Sequence, residues 1–486
     1  MNAPVRRVAV SAMVLFGLLI LNANYVQVFQ GTKLRTDPGN TRVLLDEYER
    51  QRGSITTAEG VAIAQSKATN DKLKYLRTYP GRSAYAPLTG FYSLIFGATG
   101  MEQGEADFLN GSDNRLFTRR LSDLLTGRDP RGGTVKTTIE QRAQAAAVKG
   151  LGGRAGAVVA MDPRTGAILA MASAPSYDPN PLSSHDPPGI RAAYEKLTAD
   201  DADPLLNRAI NQRYPPGSTF KVIVAAAALQ AGRKPDTLVD CPHRYKLPQS
   251  TKELRNFGDE SCSGNQVTLE NALTNSYNTA FAKLGVDLGE SDVRRQAEAF
   301  GINGEPLSVP LRVSPSSLGE IPDDASLAQS SIGQRDVALT PLEGAMIAAG
   351  VANNGVVMTP YLVSELLAPD TAVLDRTEPK ELTTAVPPDV AGQLQQMMRS
   401  VVARGTGTSA QLSGVDVGGK TGTAENAPGQ APHAWFIGFG KAGDREVAVS
   451  VIIEQGGNSG SETTGGKAAA PIARGVMKAV LGIGGG

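Results

Sequence analysis

Ser218 and Lys221 stand three residues apart in Tyr214-Pro215-Pro216-Gly217-Ser218-Thr219-Phe220-Lys221, and an apolar, alanine-rich run continues to Leu229. Such a run reads as a buried helix, on which side chains at i and i+3 share a face. A serine hydroxyl becomes a good nucleophile only when a base takes its proton. A lysine can be that base only while neutral. Burial against Phe220 and the apolar helix lowers a lysine pKa, and so does a second cation nearby. Lys420 is the candidate for that cation. A serine at a helix N-terminus also lies beside unpaired backbone N–H groups, which stabilise a developing oxyanion. Alone, the pair is weak evidence: an N-cap serine followed by a surface lysine has the same spelling.

Two further elements give it context. Ser276-Tyr277-Asn278 lies within Asn271–Phe281, a helix end or loop. A hydroxyl there can relay a proton to a leaving amine, and an amide can hold a substrate carbonyl or Lys221. Without context this is an ordinary polar turn. Lys420-Thr421-Gly422 sits in Gly418-Gly419-Lys420-Thr421-Gly422-Thr423-Ala424, too glycine-rich for an ordinary buried strand. Glycines on an edge strand mark close approach of another backbone, so a peptide can add there as an extra strand. Lys420, Thr421 and Thr423 would then grip a terminal carboxylate. A phosphate-binding loop is the rival, but Leu412-Ser413-Gly414-Val415 does not lead into the strand, loop and helix it needs.

The elements that must position these groups follow from composition and pattern. Ala157–Met161 and Ala167–Ser173 are apolar strands around the turn Asp162-Pro163-Arg164-Thr165-Gly166. Strands are expected at Gly418–Ala424, Ala434–Phe439 and Glu446–Glu454, with a closing helix over Pro471–Leu481. Near-continuous apolar runs such as Val447–Ile453 require a sheet covered on both faces. Residues 175–216, rich in Pro, Asp and Asn, read mostly as loop, and Thr137–Val148 as a helix linking two units. The class is α+β: one antiparallel sheet with helices packed on each side. Residues 33–130 are polar with short β-like runs and no catalytic motif.

Arg6 and Arg7 precede an uncharged stretch from Val8 to Thr32 whose apolar centre is Val8–Leu21. The extended stretch is long enough to span a bilayer. Positive charge before it places the N-terminus inside and exports the rest. Asn22-Ala23-Asn24 is a poor cleavage site, so an uncleaved anchor is expected rather than a removed signal peptide. Cys241 and Cys262 then meet an oxidising space, where a bridge would stabilise by about 3 kcal/mol in the chain-entropy model. Two unpaired thiols are the alternative. Lys plus Arg equals Asp plus Glu at 48 each, which argues against nucleic acid as partner. Three histidines and two cysteines leave no metal-ligand cluster.

With its three motifs in this order, the chain resembles a class B penicillin-binding protein, closest to the A type of actinobacteria. Further matching segments are Tyr177–Pro181, Leu206–Ala209, Ser331-Ile332-Gly333-Gln334, Leu339-Thr340-Pro341, Ala352–Gly355 and His433–Phe439. In the N-terminal part, Arg52–Ile55 and Ala86–Gly90 match as well. The resemblance implies a penicillin-binding transpeptidase fold over residues 149–486. Ahead of it would come a cytoplasmic tail (1–7), a transmembrane signal anchor (8–30) and an elongated β-rich pedestal of dimerisation type (31–148). It implies a peptidoglycan D,D-transpeptidase in the cell membrane, single-pass, with its catalytic domain extracytoplasmic. Ser218 would attack the D-Ala-D-Ala bond of a stem peptide, release D-alanine and pass the acyl group to an amine. Lys221 would be the base, Ser276 and Lys420 the proton relay, with Asn278 in the same catalytic set. Thr421, Gly422 and Thr423 would bind substrate, and the backbone N–H groups of Ser218 and Thr423 would form the oxyanion hole. It also implies acylation by β-lactams, no cofactor, and work beside membrane glycan polymerases and division proteins in septal growth and cell shape.

Three rivals share parts of this pattern. A two-enzyme wall synthase needs a glycosyltransferase, and roughly 120 residues between anchor and linker are too few for one. A β-lactamase needs a deacylating base after the Ser-x-Asn; Glu270-Asn271-Ala272-Leu273-Thr274 comes before it and ends in Thr. A β-lactam-sensing receptor usually has several spans, where this chain has one.

Overall fold

The computed structural model describes residues 3–30, 48–117, 119, 125, 131–425, 430–456 and 464–483. Residues 31–47, 118, 120–124 and 126–130, all within the expected pedestal, lie outside them. The first element is a 23-residue helix, Ala3–Tyr25, with a mean hydropathy of 1.8 over its best window and no buried residue. At 1.5 Å per residue it is ~35 Å long, enough by length and composition to cross a bilayer. It starts before the expected Val8, because Arg6 and Arg7 are good helix formers and join its first turns.

The catalytic part is built on five strands in the order Asp416–Ala424, His433–Ala442, Arg445–Ile453, Gly156–Met161 and Ile168–Ala174. Every neighbouring pair is antiparallel. One row of partners runs Lys420, Ile437, Ser450, Val159, Met171. Side chains alternate between two cores, as strand geometry demands. Val158, Ala160, Val449 and Val451 pack with Ala143, Ala147, Ile472 and Val476, from the helices Gln141–Leu151 and Ala470–Val480. Ala157, Val159, Ala448 and Ile452 face the other way, toward the helices Lys221–Gln230 and Pro341–Ala352. Both faces being covered explains the continuous apolar runs, and the expected α+β class holds.

Two expected elements are corrected. The helix placed at Thr137–Val148 runs Gln141–Leu151, while Thr137 ends a strand, Thr134–Thr137. That helix is a covering layer of the catalytic sheet rather than a bare linker, since its alanines let it lie close to the strands. Within 175–216, Pro187–Thr198 is a helix. Pro187 and Pro188 occupy its first turn, where a missing N–H costs nothing. Ile190, Ala193, Tyr194 and Leu197 then form an i, i+3, i+4, i+7 stripe. The last three pack on Phe91, Tyr177 and Leu182.

The N-terminal part centres on a six-stranded sheet: Val373–Arg376, Val363–Leu367, Thr134–Thr137, Ile55–Thr56, Ala62–Ala68 and Tyr75–Thr78. Its first two strands come from far along the chain, and Val363–Leu367 pairs antiparallel with Thr134–Thr137. The sheet therefore draws on both sides of residue 149. Beside it lies a buried charge cluster. Arg52 Nε and Arg77 Nε each donate to Glu102 at 2.6 Å, and Tyr79 Oη donates to the same carboxylate at 3.1 Å. Burial pushes the Glu102 carboxyl up, but Arg77 and Arg52 outweigh it and hold it below the usual range. Removing one member of a buried ionic set strands the rest. Glu102→Gln is expected to destabilise the protein by about 3–5 kcal/mol, read as a lowered unfolding midpoint in denaturant.

Candidate active site

Tyr214 fixes the approach to Ser218. Its backbone exchanges two hydrogen bonds with Leu339, each 2.9 Å. Its hydroxyl donates to Glu454 at 2.6 Å, and Arg208 Nε donates to the same oxygen at 2.8 Å. Trp435 Nε1 donates to the Pro215 carbonyl at 3.0 Å. Gly217 follows in the left-handed region (φ +54°), and its N–H donates to Gly333 O at 2.9 Å. A Cβ here would lie 2.6 Å from Thr423 O, so only glycine lets the turn rest on the edge strand. Ser331–Gln334 and His433–Phe439, quoted above only as matching segments, are thus the supports of the nucleophile turn.

Gly217–Phe220 forms a 3-10 turn that runs into the helix Lys221–Gln230. In a 3-10 turn, residues i and i+3 eclipse, which aligns Ser218 with Lys221. Val222–Ala226 are fully buried behind them, and Lys221 has no solvent exposure, whereas Ser218 is half-buried. Lys221 Nζ donates to Ser276 O and Asn278 Oδ1, each at 2.7 Å, and to Ser276 Oγ at 3.3 Å. Lys420 Nζ donates to Ser276 Oγ at 2.8 Å and to Thr421 O at 2.9 Å. Lys221, Ser276, Asn278 and Lys420 are thereby brought to one place, with Ser218 on the 3-10 turn that leads into Lys221.

Among the described residues, no carboxylate forms an ion pair with either lysine. Burial, then the Lys420 charge, pushes the Lys221 ammonium far below its ordinary range. Burial alone brings Lys420 down to about 7. The pair can hold one proton more easily than two, with the Ser276 hydroxyl between them. The chemistry this permits is proton removal from Ser218 and proton return along Lys221, Ser276 and Lys420.

Ser276 is held by its backbone. It caps the helix Leu269–Asn275 in the left-handed region (φ +62°), and the next helix begins at Asn278. A non-glycine residue in that region costs ~1–3 kcal/mol, a strain that gathers at functional sites. Cys241 and Cys262 are joined by a disulfide, with Cα atoms 5.9 Å apart. The loop it closes carries Arg255, whose carbonyl accepts from Asn278 Nδ2 at 3.1 Å. Its neighbour Asn256, buried, accepts from the Thr279 N–H at 3.0 Å. Arg255 and Asn256 went unnoticed in the sequence, since neither belongs to a motif; the sole hint was a cysteine pair bracketing them.

Lys420, Thr421, Gly422 and Thr423 lie on the outermost strand of the sheet, with its other edge unpaired among the described residues. Lys420 is mid-strand, which removes the phosphate-loop alternative. The glycines are explained by contact: a Cβ on Gly419 would lie 2.4 Å from the Phe436 ring, and one on Gly422 would lie 2.8 Å from Pro216 O. Thr421 is buried with its hydroxyl 2.5 Å from that of Thr406, while Thr423 is half-buried.

Residues 156–478 match the penicillin-binding protein transpeptidase domain, and residues 52–135 match the penicillin-binding protein A dimerisation domain. The chain belongs to the penicillin-binding protein transpeptidase family. It is 50% identical to the peptidoglycan D,D-transpeptidase PbpA of Mycolicibacterium smegmatis, and 48% identical to that of Mycobacterium tuberculosis, over 99% of each chain. The solved penicillin-binding protein A of M. tuberculosis, as its ceftriaxone acyl-enzyme, superposes with a TM-score of 0.87 at 46% identity. That match covers 90% of this chain and 100% of the other. The imipenem acyl-enzyme of the same protein gives 0.85 at 47%, again over 90% and 100%. The expected family, fold and serine-transpeptidase class are borne out.

Proposed function

We propose that this penicillin-binding transpeptidase cross-links peptidoglycan through an acyl-enzyme on Ser218. The observation that carries the reading is Ser276 Oγ held between the Nζ atoms of Lys221 and Lys420, with burial and the Lys420 charge pushing Lys221 well toward its neutral form. A donor stem peptide adds to the open edge of the Asp416–Ala424 strand. Thr421, Gly422 and Thr423 line its terminal carboxylate, and Lys420 contributes charge. Lys221 takes the Ser218 proton as Oγ attacks the penultimate D-alanine carbonyl. The backbone N–H groups of Ser218 and Thr423 receive the oxyanion. Collapse breaks the amide bond, and the proton passes through Ser276 to the departing D-alanine amine. An acceptor amine then attacks the ester, loses its proton by the same route, and frees Ser218. Asn278 anchors Lys221 and the substrate amide.

A β-lactam presents a strained amide in the same place and acylates Ser218 without a departing amine; penicillin-binding protein A of M. tuberculosis forms such acyl-enzymes with ceftriaxone and imipenem. The Ala3–Tyr25 helix anchors the chain in the cell membrane. Arg6 and Arg7 on its inner flank set the catalytic part outside, beside glycan polymerases and division proteins in septal growth. The boundary between pedestal and transpeptidase, expected at residue 149, falls nearer residue 140, ahead of the Gln141–Leu151 helix that covers the catalytic sheet, and the pedestal serves as a docking surface.

The test supplies full-length protein with uncross-linked glycan strands carrying pentapeptides. Release of D-alanine together with cross-linked dimers is expected. Rapid turnover of penicillin to hydrolysed drug, without dimers, would replace this reading with a β-lactamase.

A further inference from the structure

Away from the catalytic groups, a cleft of about 260 Å³ opens between the helices Glu290–Ala299 and Pro341–Ala352, the 301–316 loop and residues 382–383. It shares no residue with the active site. Its walls are apolar, from Pro306, Leu307, Val313, Pro315 and Leu382. At its base lies Glu343, 5% exposed, whose Oε1 has no hydrogen-bond partner. That oxygen points toward Gly301 on the cleft wall, 3.2 Å from where a Cβ would stand. A buried, unpaired carboxyl oxygen is costly and asks for a donor. Nothing in the catalytic machinery uses it.

We propose that this cleft binds a primary ammonium group on a short aliphatic stem, with Glu343 as its counter-ion. The charge is set by the acidic lining: Glu298 and Glu305, the other titratable groups in the cleft, add to Glu343 with no basic residue among them. An ammonium suits the geometry better than a guanidinium. It is a compact charge that can satisfy one orphan oxygen and the Ser316 hydroxyl beside it, whereas a guanidinium seeks two parallel acceptors. The apolar walls accept the stem. Burial raises the Glu343 carboxyl to about 8, against a smaller opposing pull from Ser316, so at neutral pH the empty cleft holds it protonated. Capture of an already charged ammonium ionises Glu343 and releases one proton to solvent. Affinity therefore rises with pH up to about 8.

The experiment titrates n-butylammonium into the full-length protein in detergent, by calorimetry or ligand-observed NMR. Saturable binding is expected, strengthening up to about tenfold per pH unit between pH 6 and 8, as release of one proton requires. Glu343→Gln should weaken it at least tenfold, and 1-butanol, neutral and of similar shape, should fail to compete. Leu382→Trp, at the 39%-exposed lip, should also block binding and decides the matter if the Glu343 variant does not fold. Unchanged fluorescent penicillin labelling certifies each variant as folded. Absence of saturable binding overturns the proposal. So does equal binding by 1-butanol, a pH-independent affinity, or full affinity in both variants.

Discussion

Full-length protein carrying Ser218→Ala is expected to take up no fluorescent penicillin at all. The substitution deletes one half-buried oxygen and leaves the backbone that sets the turn untouched. Tyr214 stays paired with Leu339, and Gly217 with Gly333. Stability should shift by no more than about 0.5 kcal/mol, as for substitutions that break no packing or network. Two neighbouring hydroxyls, those of Ser276 and Thr219, are poor replacements. Ser276 Oγ already accepts from Lys420 at 2.8 Å and lies 3.3 Å from Lys221 Nζ, so it is held between the two amines rather than turned toward a substrate. Thr219 Oγ1 is buried and donates to Pro216 O at 2.9 Å. Covalent label in the alanine variant, located by peptide mapping, would move the nucleophile elsewhere.

Lys221→Met should slow penicillin acylation by about 10³- to 10⁴-fold while leaving Ser218 in place, near the upper range for loss of a positioned base. Methionine has a similar volume and no polar head, so the apolar helix keeps its packing. The pH dependence gives a second reading. The folded-state pKa of Lys221 is depressed, so the neutral base is present above that value, and wild-type acylation rises as pH climbs through it. The stability sign follows from the same shift. Between the lowered folded value and the ordinary value of 10.5, the unfolded chain binds the extra proton. Folding stability therefore increases with pH across that window. Lys420, down to about 7, adds a slope of the same sign. The methionine variant should lose the Lys221 share and keep the Lys420 share. Acylation within tenfold of wild type would remove Lys221 from the base role.

Local features were legible in the sequence because the physics behind them is local. The apolar run after Ser218 specifies a helix whatever surrounds it. The near-continuous apolar composition and the length of Val447–Ile453 specify a strand covered on both faces. The helix Pro187–Thr198 was missed because its prolines, read as breakers, sit in the one turn that tolerates them. Its apolar stripe gains meaning only from Phe91, Tyr177 and Leu182 across the interface. The strands between Val363 and Arg376 could not be assigned to the N-terminal sheet, because register across more than two hundred residues leaves no trace in a local pattern. Arg255 and Asn256 were invisible for a similar reason: they act through a carbonyl and a buried amide brought in by the fold.

By itself, then, the sequence determined which groups could react and which elements carry them: Ser218 and Lys221 on one helical face, Ser276 with Asn278, and Lys420 on a glycine-rich strand. It also determined the apolar helix at the N-terminus. Only the tertiary structure decided that Lys221 can act as a base. Its proton affinity depends on burial and on the approach of Lys420, which reaches the shared Ser276 Oγ across 144 positions of chain from that serine. Desolvation and repulsion act through space, and no spacing along a chain encodes them.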